Sequence, residues 1–77
     1  MHPQQYRRLR RADASEYLLD RHGITRKPST LAKYASVGGG PKYLLAGRVP
    51  LYPVDELDAW AEAILSPLRA STSDKGA

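Results

Sequence analysis

SVGGGPKYLLAGRVPLY, residues 36–52, combines three consecutive glycines with two prolines and two short apolar runs. It could be a phosphate-binding loop, a flexible linker or a small hairpin. A phosphate loop needs a strand before its glycines and a helix after them, with Lys and Ser/Thr at fixed offsets. Here the order is reversed, because a helical pattern precedes Gly38 and an extended one follows Pro41. The glycines end a helix, where the left-handed position after the last turn suits a residue without Cβ. Pro41 then prevents the helix from continuing. Residues 42–46 and 48–52 flank Gly47, which can supply the positive φ of a tight hairpin turn. Pro50 lacks an N–H, which predicts that its strand lies at an edge. A hairpin this small needs packing on one face, so the neighbouring segments must be the helices it leans on.

Upstream, Ala14, Tyr17, Leu18 and Arg21 recur at three-four spacing across Arg11 to His22, with Asp13 and Glu16 in the early turns, and Gly23 ends the segment. This predicts a first helix with Ala14 and Leu18 inward and Tyr17 at the edge. His22 is expected to interact with the dipole at its C-terminal end. Pro28 suits the first turn of a second helix running to about Val37. With Leu31 inward, 100° per residue brings Tyr34 and Ala35 to the same side and Ser29, Lys33 and Ser36 to the other, with Arg26 near that outer face. Two short helices joined by a Gly-containing turn, the second with small and basic residues outward, make a helix-turn-helix. Downstream, Leu57, Trp60, Ala61 and Ile64 fall at i, i+3, i+4 and i+7 of a third helix that Pro53 introduces and Ser66-Pro67 stops.

The chain has 77 residues and no cysteine, so one small domain must hold itself together without disulfides or a cysteine-based zinc site. Residues 1–8 read as a flexible basic arm, 9–66 as the domain, and 67–77 as a disordered tail. No secretory h-region or long apolar run is present, which predicts a soluble, intracellular protein with no membrane contact. Two histidines without a carboxylate or nucleophile at useful spacing predict no enzyme, no metal, no cofactor and no small-molecule ligand. Residues 1–52 hold ten Lys/Arg against three acids, a net of +7, while residues 53–77 hold two against five, a net of −3. That polarity favours a polyanion on the basic part and turns the acidic end away from it.

LRRADASEYL (9–18), PSTL (28–31), GGGPKYLLAGRVPLY (38–52) and VDELDAWAEA (54–63) together resemble the small winged helix-turn-helix proteins related to the MerR DNA-binding domain, the group of excisionases and AlpA-like regulators. The resemblance implies an α+β, mostly helical fold: three helices with a two-stranded β-hairpin wing between helices 2 and 3. It implies a bacterial, cytoplasmic, nucleoid-associated protein that binds double-stranded DNA. By position, Arg26, Lys27, Ser29, Thr30, Lys33 and Ser36 would belong to the recognition helix in the major groove, and Lys42 and Arg48 to the wing. Arg7, Arg8, Arg10 and Arg11 would make sequence-neutral phosphate contacts. Ala32 stands where many such proteins carry a larger contacting side chain.

By strand alternation, Leu44, Ala46, Pro50 and Tyr52 are expected to face the helices. That leaves Tyr43, Leu45, Val49 and Leu51 on an apolar outer face, predicted to mediate self-association on DNA. The implied function is an excisionase, or recombination directionality factor, that bends DNA near an attachment site for a partner integrase. The alternatives are a small AlpA-like regulator on an operator, and a protein-binding antagonist that kept the fold with weak DNA affinity. The absence of an effector segment leans toward the architectural role.

Overall fold

The structure, a computed structural model, describes residues 7–70. It is a small α+β domain in the order β1 (Arg8–Leu9), α1 (Arg11–His22), α2 (Pro28–Val37), β2 (Leu44–Ala46), β3 (Val49–Pro53) and α3 (Val54–Ile64). α1 and α3 pack on a three-stranded antiparallel sheet of strand order β1-β3-β2, and α2 packs on α1. The remainder of the expected basic arm and of the tail lies outside the described residues.

Local chemistry accounts for each helix end. At the end of α1, Gly23 takes the left-handed conformation, φ 70°, and its N–H bonds the Leu19 carbonyl at 2.9 Å. Ile24 follows as a buried plug, its N–H on the Leu18 carbonyl at 3.0 Å. Ser15 Oγ donates to the Arg26 carbonyl at 2.6 Å, tying the middle of α1 to the turn. Pro28 opens α2, which ends at Gly38. α3 begins immediately after β3, with Asp55 and Glu56 in its first turn, where acids suit the dipole.

The core sits where α1, α3 and β3 converge. Leu18, Leu57, Ala14 and Ala61 are fully buried, with Leu31, Tyr52, Val54, Leu9 and Ile24 completing the cluster. The predicted inward residues of α1 and α2 are therefore in place, with Tyr17 and Tyr34 half-buried at its margin. On α3, Ile64 is exposed and Val54 takes the inward position instead, because the helix spans Val54–Ile64 and ends short of the Ser66-Pro67 stop.

The sheet differs from the expectation in three respects. Arg8 belongs to a strand: β1 pairs with β3 through Arg8↔Pro53 and Leu9↔Tyr52, and Val54 N–H bonds the Arg7 carbonyl at 3.0 Å. This makes β3, which carries Pro50, the central strand. Pro50 is tolerated because β1 reaches only Tyr52 and Pro53, leaving β3 paired on one side at Pro50.

The third correction concerns the hairpin register. β2 and β3 pair through Leu44↔Leu51, Leu45↔Pro50 and Ala46↔Val49, so the loop is the two residues Gly47 and Arg48. Gly47, at φ 66°, is the first central residue, as a type II′ turn requires. Directly opposite residues share a face. The proposed association set therefore splits. Tyr43 lies inward with Tyr52, ring centroids 5.5 Å apart, and Leu45 shares that face beyond the core. Val49 and Leu51 lie on the outer face with Leu44 and Ala46, and Leu44, expected inward, is 50% exposed. A face of apolar residues persists, with different members.

Candidate nucleic-acid interface

The outward side of α2 is composed as its helical spacing predicts. Ser29, Lys33 and Ser36 are exposed, and Thr30 is half-buried beside them. Lys27 occupies the N-cap position and is exposed. At the far end of the hairpin, Arg48 is exposed on the turn, and Lys42 is exposed just before β2. Arg7, Arg8 and Arg10 are exposed at and beside β1.

Two candidate arginines hold the protein together. Arg26 is half-buried: Nε donates to Tyr34 Oη at 3.0 Å, an Nη donates to the Thr25 carbonyl at 2.8 Å, and the guanidinium lies 5.6 Å from the Trp60 ring centroid. Arg11 Nε donates to Tyr52 Oη at 3.0 Å, with the guanidinium 5.8 Å from that ring. Tyr52 is fully buried, so Arg11 satisfies a hydroxyl that would otherwise lack a partner in the core.

The charge distribution is sharper than the overall balance. From residue 21 to residue 54 there are six bases (Arg21, Arg26, Lys27, Lys33, Lys42, Arg48) and no acid, a segment that spans all of α2 and the hairpin. The acids of the described residues stand on α1 and α3. A phosphate backbone laid against α2 and the hairpin tip meets only positive or neutral groups on those elements.

Behind this surface, a polar cluster joins α1 to α3. Tyr17 Oη donates to Asp58 Oδ1 at 2.7 Å, and His22 Nε2 lies 2.7 Å from the same oxygen. His22 thus bonds across helices as well as sitting at a helix C-terminus, the role its position suggested. Burial by itself would raise the Asp58 pKa, but hydrogen bonds from His22 and Tyr17 and the charges of His22 and Arg21 outweigh it and hold the carboxyl below its ordinary value. Burial, then the hydrogen bond and charge of Asp58, raise the Tyr17 phenol.

A depressed carboxyl pKa stabilises the fold above its unfolded value, about 4, and that contribution disappears as pH falls through the folded value. Asp58→Asn is therefore expected to lower the melting temperature at neutral pH. The wild type and this variant should converge in thermal melts once the pH falls below the depressed folded-state value of Asp58. A difference that stays constant with pH would mean that the cluster acts by shape alone.

Sequence reasoning missed the Asp58 hub and the Trp60 indole N–H, which donates to the Gly39 carbonyl at 2.9 Å. Both residues were visible in DELDAW, but their partners are remote in the chain and no spacing rule connects them. Among the described residues, no group of three or more His, Cys, Asp or Glu could hold a metal ion, and no helix is long and apolar enough to cross a membrane. No protein-family model matches the chain, and no characterised protein matches it in sequence.

Proposed function

We propose that the protein is a winged helix-turn-helix DNA-binding protein in which α2 is the recognition helix and the β2–β3 hairpin is the wing. The observation that carries this reading is the acid-free segment from residue 21 to residue 54, which presents Ser29, Lys33 and Ser36 on one exposed helix face and Arg48 on an exposed turn. An α-helix with its side chains is about 10–12 Å across, and the major groove, about 12 Å wide, admits it. Hydroxyls and a lysine can bond base edges or phosphates there, and an arginine on a turn can reach the neighbouring backbone. Lys27, Lys42, Arg8 and Arg10 add sequence-neutral attraction. Within this class the role is architectural, that of an excisionase binding beside an attachment site with a partner integrase. The resemblance of these segments is to excisionases and AlpA-like regulators alike, so it supports the DNA-binding class, and the pattern of bound sites separates the two roles.

Selection from random and genomic DNA fragments, followed by footprinting, tests the reading. Tandem phased sites that fill cooperatively beside an attachment site support the excisionase role. A lone operator at a promoter points instead to a regulator. Weak, salt-sensitive binding without enrichment would leave a protein-binding antagonist on the same fold. At an enriched site, Lys33→Ala is expected to weaken specific binding by about 1–3 kcal/mol and non-specific binding much less. Arg48→Ala should weaken both alike and reduce the salt slope by about 1. Fluorescence titrations at several salt concentrations read both quantities, and the opposite pattern would mean that helix and wing have exchanged roles.

A further inference from the structure

Trp60 reaches both ends of α2 from a different helix. At the start of α2, Arg26 lies 5.6 Å over the Trp60 ring while bonding Tyr34 Oη. Past its end, the Gly39 carbonyl accepts the Trp60 indole N–H at 2.9 Å. Between them, the Tyr34 ring packs against Trp60 at 6.0 Å. One half-buried side chain of α3 therefore holds the residue before the first turn, the middle of the helix and the loop after the last turn.

We propose that Trp60 and Arg26 are positioning residues: together with Tyr34 they form a clamp that sets the angle and axial position at which α2 presents Ser29, Lys33 and Ser36. α2 fixes its own ends only through Pro28 in its first turn and the Gly38 N–H on the Tyr34 carbonyl. Lys27 provides no side-chain cap hydrogen bond, and Gly38 and Gly39 both have positive φ, in a backbone with wide conformational freedom. Tethering to a third element adds rigidity at both ends. A reading helix displaced by about an ångström loses aligned base contacts but keeps its charge, so the clamp acts on specificity and leaves the electrostatic component alone. Arg26 thereby leaves the set of direct DNA contacts. Its guanidinium is committed to a carbonyl, a phenol and an indole face.

The first test needs no DNA, so it stands apart from the proposed function. Trp60→Leu removes both the indole N–H and the ring that Arg26 and Tyr34 pack on. In hydrogen exchange of the full chain, the hydrogen-bonded amides at the two ends of α2, those of Thr30, Leu31 and Gly38, are expected to exchange about 5- to 10-fold faster, while core amides of α1 near Leu18 keep their rates. Acceleration confined to Gly38, or uniform across the domain, would overturn the clamp. Arg26→Met keeps the stem and leaves Trp60 in place, and it serves as the same test from the other end should Trp60→Leu fail to fold.

The second test rests on α2 as the reading helix. On an enriched site, both variants should lose about tenfold or more in specific affinity with an unchanged salt slope, although Trp60 belongs to α3. A slope reduced by about 1 in Arg26→Met would make Arg26 a phosphate contact and remove it from the clamp. If the wild type itself selects no sequence, the function reading fails while the exchange result still decides the clamp.

Discussion

Leu18→Ala is expected to destabilise the protein by about 3 kcal/mol, within the 2–5 kcal/mol typical of deleting a buried leucine side chain. Leu18 has no exposed surface and sits in α1 where it faces the rest of the core. Its carbonyl also accepts the N–H of Ile24, so the α1–α2 turn is anchored beside the cavity that the substitution would leave. A 77-residue domain holds roughly 4–12 kcal/mol in total, so one such cavity removes a large share of its stability. For a domain this size the loss corresponds to a melting-temperature drop of about 12–24 °C. Urea denaturation should show a lower midpoint with the same slope. The control is the next residue: Leu19 is 52% exposed, and Leu19→Ala should stay within about 0.5 kcal/mol. Equal effects at the two positions would mean that α1 turns a different face to the core.

Gly40→Ala should cost about 1–3 kcal/mol, by overpacking. A Cβ built on Gly40 falls 2.5 Å from Tyr34 Cβ, 2.7 Å from Cδ2 and 2.8 Å from Cγ. The nearest of these atoms is the root of the side chain, fixed by the α2 backbone, so rotating the Tyr34 ring cannot relieve the contact. The loop itself must move, and with it the Gly39 carbonyl that Trp60 holds. A specific consequence follows: Tyr34→Ala does not rescue Gly40→Ala, because alanine keeps the offending Cβ. A double-mutant cycle measures this, and restoration of stability in the double variant would show that the ring, not Cβ, sets the limit. The same shift moves the hairpin relative to α2, so under the proposed function affinity for a selected DNA site should fall in Gly40→Ala even where the protein remains folded.

The parts of the fold legible in the sequence are those decided by local chemistry. Pro28 and Gly23 bracket the turn between α1 and α2, and both helices have the bounds that their patterns predict. The apolar stripe of α3 identified Leu57 and Ala61 as core, while Trp60, expected in the same stripe, lies at the core's margin and Ile64 is exposed. The candidate contacts Ser29, Lys33, Ser36 and Arg48 were also legible, because helical periodicity and a turn glycine decide which side chains point outward. Arg11 and Arg26 show the limit of such reasoning. As basic residues they read as DNA contacts, Arg26 with the recognition helix and Arg11 on phosphate, yet their partners Trp60 and Tyr52 lie far along the chain.

By itself, the sequence determined three helices, a hairpin turning at Gly47 and a basic segment free of acids. Tertiary structure alone decided the strand pairing and the polar bonds between elements. Alternation within each strand was correct, but the turn holds both Gly47 and Arg48 instead of being centred on Gly47, which shifts the pairing by one residue, and with period-two geometry that places Val49 and Leu51 on the opposite face from Tyr43 and Leu45. The two residues of β1 are too few to show any period, and they form a strand only because the edge of β3 at Tyr52 and Pro53 is there to receive them. Trp60 and Asp58 acquire their partners in the same way. Periodicity says which way a side chain points, and only the packed chain says what it meets.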